Sequence, residues 1–268
     1  MNSARHETQA LEQNLWSQWA QFGVPDNCAF HREDGVWRLV TPIASLPYNG
    51  VFRFDVDDRE ADARIDRIIA DYDARNVEHF WVVHPSSRPA DLDKRLIARG
   101  FMEFEVCPGM VVKPKDLKAD IPSSDGVEIR EISATDETPI LELVANRWSV
   151  PTDALGYLQS FFRENHVGQP DGTTRAWLAT LNGRPVGKAF THRSGNIAGL
   201  YGVAISPEAR GHGVGLAICA RALRETATDG IELLVLHSTP MAVDLYKKLG
   251  FRSVAPFRLF GRGEHFSI

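Results

Sequence analysis

The chain has 268 residues, of which 43% are hydrophobic and 24% charged, and its formal net charge is -5. This length holds one large domain or two ordinary ones, and the apolar share excludes global disorder. No basic stripe stands out, which argues against nucleic acid as the main partner, and no apolar run nears the roughly 20 residues that span a bilayer.

The N-terminal stretch MNSARHETQALEQNLWSQW has no apolar region of the signal-peptide kind. Residues 8–22 read as a helix carrying Leu11, Leu15, Trp16 and Trp19, expected to bury against the sheet of its own domain. A strand is predicted over 51–56. A helix follows over 62–75, with Ile65, Ile68, Ile69 and Tyr72 on one face. Residues 79–84 form a buried-type strand. Residues 90–99 form a helix ending at Gly100-Phe101, and 110–113 form a last strand. The polar stretch 113–126, with two prolines, reads as a linker. Beyond it come a strand over 127–132 and a helix over 136–148 with Thr135 as its cap. A second helix covers 155–165. Strands over 175–181 and 185–192 flank the hairpin signal Asn182-Gly183. Residues 196–205 form a strand. Residues 213–228 form a helix with Leu216, Cys219, Ala220 and Leu223 on one face. A wholly apolar strand spans 231–236. A helix spans 241–249 with Gly250 at C′, and an apolar stretch runs from 254 to about 266.

Three cysteines, Cys28, Cys107 and Cys219, are widely spaced, which favours reduced cytosolic thiols over a disulfide frame or zinc site. The expectation is therefore a cytoplasmic protein without a metal. Residues 1–120 carry 15 basic against 20 acidic side chains, and residues 121–268 carry 15 of each. The order strand, helix, strand, helix, Gly-Phe occurs twice: Val51 to Phe101 is 50 positions, and Val203 to Phe251 is 48. A duplicated fold accounts for this better than coincidence among common α/β patterns.

The segment 203–216, V-A-I-S-P-E-A-R-G-H-G-V-G-L, runs from a strand through three alternating glycines into a helix. Glycine permits unusual torsions and close approach of a ligand, and a helix start offers free N–H groups with partial positive charge. Together they make an anion site, to which Arg210 adds a full charge. The spacing is neither a Rossmann fingerprint nor a Walker loop. Alone, it is also compatible with a purely structural glycine turn.

Arg210, Gly213 and Gly215 match the signature Arg/Gln-x-x-Gly-x-Gly/Ala, after a strand and Ile205-Ser206-Pro207. A second element, Ala242-Val243-Asp244-Leu245-Tyr246-Lys247-Lys248-Leu249-Gly250-Phe251, places Tyr246 31 positions beyond Gly215. On these residues the stretch 127–268 resembles the GCN5-related N-acetyltransferase (GNAT) family. The resemblance implies an α/β fold with a mixed sheet, here as two tandem acyl-CoA N-acyltransferase-like domains. Residues 1–115 would be a degenerate copy, 116–126 the linker and 127–268 the catalytic domain. It implies acetyl-coenzyme A as co-substrate. Val203, Ala204 and Ile205 would bond the pantetheine arm. Arg210, Gly211, His212, Gly213, Val214, Gly215 and Leu216 would hold the pyrophosphate, mostly through main-chain N–H groups. An amine would attack the thioester directly, with Tyr246 as general acid for the leaving sulfur. A packed core tyrosine is the alternative at that position. The base is open among His192, His237, Glu232 and ordered water. Where the family often has Asn, this chain has Thr239. It could bond the pantetheine, or cap the next helix with Pro240 at N1.

In the first half, the counterpart of the glycine turn is Asp57-Asp58-Arg59-Glu60-Ala61-Asp62, which would repel a pyrophosphate. The counterpart of Tyr246 is Leu96. This copy is expected to wall the acceptor pocket, which Trp148, Phe161, Phe162 and Tyr201 could line. Three functions compete: acetylation of a small-molecule amine, acetylation of a protein lysine or N-terminus, and coenzyme A sensing without turnover. The intact Tyr246 disfavours the sensor. A duplicated fold can bury within one chain the surface that single-copy relatives bury in dimers, which favours a monomer over a homodimer.

Overall fold

The computed structural model describes residues 2–121, 125–132, 136, 138–148 and 155–263. Thr135, the expected cap, and the residues beyond 263 lie outside the described ones, as does the side chain of Trp148.

The chain opens with α1 (Asn2–Ala20), then the hairpin β1 (Ala29–Glu33) and β2 (Val36–Val40). Next come β3 (Gly50–Phe54), α2 (Asp58–Ala74), β4 (Phe80–Val83), α3 (Leu92–Ile97) and β5 (Met102–Val112). Then follow β6 (Val127–Ile132), α4 (Thr138–Trp148), α5 (Leu155–Glu164), β7 (Thr174–Leu181) and β8 (Arg184–Ser194). Last are β9 (Ile197–Ile205), α6 (Val214–Thr226), β10 (Leu233–His237), α7 (Val243–Lys248) and β11 (Arg252–Gly261). The β7–β8 turn sits at Asn182-Gly183, both at positive φ (51° and 77°), as the hairpin signal requires. The β1–β2 hairpin turns the same way at Asp34-Gly35 (φ 40° and 81°). That Asp-Gly signal was legible in the sequence, but the flanking residues alternate too weakly to announce strands. Strand β5 begins eight residues before its expected start at 110, because its first half is largely exposed and has no apolar period.

The chain forms two compact units, Met1–Leu15 with Gly109–Val254, and Trp16–Pro108 with Ala255–Ile268. In the first, which holds the glycine turn, strand pairing runs β5–β10–β9–β8–β7–β6, with β9 and β10 the parallel pair. In the second, which holds the acidic turn, it runs β1–β2–β3–β4–β11, with β3 and β4 parallel. Each parallel pair is joined by one helix, α6 or α2, giving the same βαβ unit twice. These units are not the continuous segments 1–115 and 127–268. Residues 109–112 of β5 pair with β10, whereas residues 258–261 of β11 pair with β4. Each unit is thus completed by the strand that follows the other unit's last helix, a long-range choice that no local pattern encodes.

The glycine-turn unit buries Trp177, Leu200, Ile218, Cys219, Leu234, Tyr246 and Phe251 in one core. The acidic-turn unit buries Phe54, Ile65, Tyr72, Trp81, Leu96 and Phe101 in another. Helix α1 is divided between them at Leu15 and Trp16. Leu11, Asn14 and Leu15 are buried with the glycine-turn unit, while the Trp16 indole N–H donates to Phe52 O at 2.8 Å in the acidic-turn unit. The expectation that this helix serves its own half is therefore only half of the outcome. Among the described residues, no helix is long and apolar enough to cross a membrane.

Candidate active site

Strand β9 has two neighbours only along its first half. Its pairing with β10 runs from Ile197↔Leu233 to Leu200↔Leu236, and Tyr201–Ile205 are paired with β8 alone. Burial changes at the same point. Residues 197–200 are buried, whereas Val203, Ala204 and Ile205 are half-buried and Gly202 is exposed. An unpaired strand edge carries N–H and C=O groups in search of partners. The Ser206 N–H donates to Val186 O at 2.8 Å, toward β8. Strand alternation then turns the N–H and C=O of Val203 and Ile205 the other way, to the open edge.

The pairing with β8 slips once. Phe190 faces Tyr201 and Lys188 faces Ala204, so Gly202 and Val203 together oppose Ala189. This is a β-bulge, and Gly202 takes its positive φ of 57° there. The carbonyl of Gly202 is capped by Lys188, whose Nζ donates to it at 2.7 Å from a side chain only 3% exposed.

Past β9, Pro207–Ala209 make one 3-10 turn, and Gly211 (φ 81°) and Gly213 (φ 77°) reverse the chain into α6. Gly213 is the N-cap, has no side chain, and offers no capping bond. The N–H groups of Val214, Gly215 and Leu216 at the first turn therefore lack intrahelical acceptors. Arg210, Gly211, His212 and Gly213 are exposed, Gly215 and Leu216 are half-buried, and Val214 anchors the turn in the core. A Cβ at Gly211 would meet nothing within 4 Å, so the space over the turn is open. Among the described residues Arg210 makes no ion pair. This arrangement can hold an extended, amide-bearing chain along the β9 edge and an anion at the α6 start.

Tyr246 on α7 is 7% exposed and packs edge-on against Phe251, 6.2 Å between ring centroids. Burial first, and the neighbouring Cys219 thiol second, push its phenol well above the ordinary value. It stays protonated at neutral pH and can donate. Thr239 makes no side-chain capping bond, although Pro240 does occupy the first position of the short turn that follows. Of the two alternatives for Thr239 the side-chain cap is thus absent, and its hydroxyl is exposed.

The possible bases separate in space. His192 is 2% exposed on β8 opposite Gly199, with Nδ1 2.9 Å from the Thr174 hydroxyl. Burial pushes its pKa down to about 4, so it is neutral at physiological pH. His237 ends β10 where the β9 pairing has already stopped, and its ring stacks on Tyr201 at 6.4 Å. Glu232 precedes β10 at the opposite end, about 16 Å of strand away from His237. Phe161 and Phe162 are core residues, the latter against Phe190 at 5.9 Å. Tyr201 is held by a residue that sequence reading passed over. Its hydroxyl donates to Asn14 Oδ1 at 2.6 Å, and Asn14 Nδ2 donates to Ser194 Oγ at 2.7 Å. Asn14, Lys188 and Gly202 each left a faint signal, a polar residue on an apolar face or a glycine inside a strand. None of the three signals says what the residue touches.

Residues 155–261 match the family described as the acetyltransferase (GNAT) domain. A mycothiol acetyltransferase from Nocardiopsis dassonvillei is 33% identical over 87 residues, 32% of this chain and 26% of that protein. The match thus spans about a quarter of that relative's length. In three dimensions the chain is similar to a GCN5-related N-acetyltransferase from Kribbella flavida. The TM-score is 0.67 at 19% identity, covering 94% of this chain and 95% of that one. It is also similar to a tandem GNAT protein from the clavulanic acid biosynthesis pathway. That match has a TM-score of 0.62 at 13% identity and covers 93% and 88% of the two chains. The shared fold is that of GNAT proteins, tandem ones among them.

Proposed function

We propose that this protein is an N-acetyltransferase that moves the acetyl group of acetyl-coenzyme A to the primary amine of a small molecule by direct attack in a ternary complex. The observation that carries this reading is the open edge of β9 running into the uncapped start of α6. Bound there, the co-substrate supplies an activated acyl group and a thiol leaving group.

The chain's own residues divide the work. Val203, Ala204 and Ile205 align the pantetheine arm along the strand edge, with the Ile205 N–H and the C=O groups of Val203 and Ile205 turned toward its amides and the Val203 N–H toward the thioester end. Gly211, His212 and Gly213 let the phosphates approach, the first N–H groups of α6 bond them, and Arg210 balances their charge. Thr239 offers a hydroxyl across the gap. Tyr246 donates its phenolic proton to the leaving sulfur. His192 is one strand further back and Glu232 lies at the far end of β10. That leaves His237 or water to take the amine proton.

In the acidic-turn unit β3 also parts from β4 after Val51, but the Arg88 N–H already donates to Phe54 O at 2.8 Å and the Trp16 indole to Phe52 O, so this unit is the degenerate copy in this reading. The protein works as a cytoplasmic monomer without a metal. Among the described residues its three cysteines form no disulfide, with Cys107 and Cys219 buried and both thiols raised to about 12 by burial. The test is thiol release from acetyl-coenzyme A against a panel of amines that includes peptides. Release with a small amine is the expected outcome. Release with peptides alone would replace the small-molecule acceptor by a protein. Tight binding with no release from any amine would make the chain a sensor.

A further inference from the structure

Lys188 is not accounted for by cofactor binding or by proton transfer, yet it sits at the one irregularity of β9. The bulge places two residues, Gly202 and Val203, opposite Ala189. A bulge leaves ladder groups unmatched, and here the orphan is the Gly202 carbonyl, turned toward β8. Lys188 Nζ fills the vacant donor position at 2.7 Å, held above the Phe190 ring at 5.2 Å from its centroid. A Cβ on Gly202 would come within 3.4 Å of that Nζ and 3.1 Å of the Phe190 ring, so the position stays open only with glycine. The peptide that follows Gly202 is planar, and its N–H belongs to Val203. In a trans peptide the N–H points opposite to the C=O. The Val203 N–H is therefore directed to the open edge, beyond the last β9–β10 pair at Leu200 and Leu236.

We propose that Lys188 is a positioning residue that strengthens the Val203 N–H as a donor to the thioester carbonyl. A donor on the carbonyl oxygen of an amide draws electron density out of its C–N bond and makes its N–H more acidic. Hydrogen-bond chains polarise one another in this way, most strongly where solvent is excluded. The same bond fixes the bulge, so the Val203 N–H stays aimed while the carbonyl oxygen gains charge in the transition state. The charge of Lys188 thus reaches the reacting group through one peptide unit, without touching the substrate.

This proposal rests on the acetyl-coenzyme A reading above, and the test separates the two. Acetyl-coenzyme A labelled with 13C at the acetyl carbonyl is bound to wild-type protein, Lys188→Met and Lys188→Arg. The carbonyl stretch of the bound thioester is recorded, beside Kd and, with an accepted amine, kcat and KM. Wild type should lower the stretch relative to free cofactor. Lys188→Met should return it toward the free value and reduce kcat about ten- to a hundredfold, a fraction of what loss of an entire oxyanion donor costs. Its Kd should change little, and Lys188→Arg should restore most of both effects. A stretch in Lys188→Met equal to that of wild type, with the cofactor bound, overturns the role of Lys188. So does a loss of kcat that Lys188→Arg does not relieve. No cofactor binding by folded wild type would instead overturn the acetyl-coenzyme A reading itself.

Discussion

After β9 the chain enters α6 through Gly211 and Gly213, and the N-cap Gly213 supplies no side-chain cap to the helix. After β3 it enters α2 through Asp57, whose carboxylate accepts from the Arg59 N–H at 3.0 Å. Further along α2, Asp58 and Asp62 bind Arg95, and Asp62 and Asp66 bind Arg99. The Arg99 hydrogen bond holds the Asp66 carboxyl below its usual range. Both turns belong to a βαβ unit of the same design, and both helices begin with the same unsatisfied donors. At α2 the Asp57 carboxylate takes up one of them, and at α6 the N-cap glycine takes up none. The two units thus differ at the cap and not in the βαβ design, and in the proposed reading that difference decides which helix start can take an anion.

The largest test of this contrast lies at the sites paired with Tyr246 and Leu96. Tyr246→Phe should lower kcat by about ten- to a thousandfold with coenzyme A affinity retained, while Leu96→Ala should affect only stability. Unchanged turnover in Tyr246→Phe would return that tyrosine to the core.

A second test uses one buried histidine from each unit. Burial, then Arg262, pushes His79 down to about 4, and burial does the same to His192. Both folded values lie below the ordinary imidazole value of about 6.5, so the unfolded chain takes up these protons first. Stability should be intact above about pH 6.5 and fall as pH drops toward 4, by about 3 kcal/mol for each histidine. Denaturant titrations across that range check it. His79→Asn and His192→Asn should each flatten the acid limb by about half, and a flat wild-type limb would refute the burial argument.

A smaller effect is expected at the caps themselves. Gly213→Val forces a side chain into a left-handed backbone (φ 77°). It should weaken coenzyme A binding about ten- to thirtyfold by titration calorimetry, from a strain of about 1–2 kcal/mol. Asp57→Ala should cost about 1 kcal/mol of stability and leave coenzyme A affinity unchanged. Weaker coenzyme A binding in Asp57→Ala would mean the acidic turn is not the spent half of the comparison.

Much of the glycine turn was legible because its conformation is written in backbone permission. Gly211 and Gly213 must be glycine where φ is strongly positive, and sequence shows glycine directly. The βαβ repeats were legible for a related reason, since Ile65, Ile68 and Tyr72 in α2 keep the same apolar period as Leu216, Cys219 and Leu223 in α6. Thr239 stayed open between a cap and a pantetheine contact because residue type alone does not place a hydroxyl, and the structure shows no side-chain cap there. Asn14 and Lys188 left only a faint signal because their meaning is a partner that local pattern does not name, 187 positions away for Asn14 and Tyr201 and on the neighbouring strand for Lys188 and Gly202.

The sequence by itself determined the two βαβ units, the glycines that keep one helix start open, and the carboxylates that close the other. These depend on local torsion, local charge and apolar period, which short stretches carry in full. Only the tertiary structure decided that β5 and β11 complete each other's units, that β9 parts from β10 after Leu200, and that Lys188 caps the bulge at Gly202. Those choices are settled by pairing between distant strands, where the energy of a contact depends on both partners and neither segment specifies it alone.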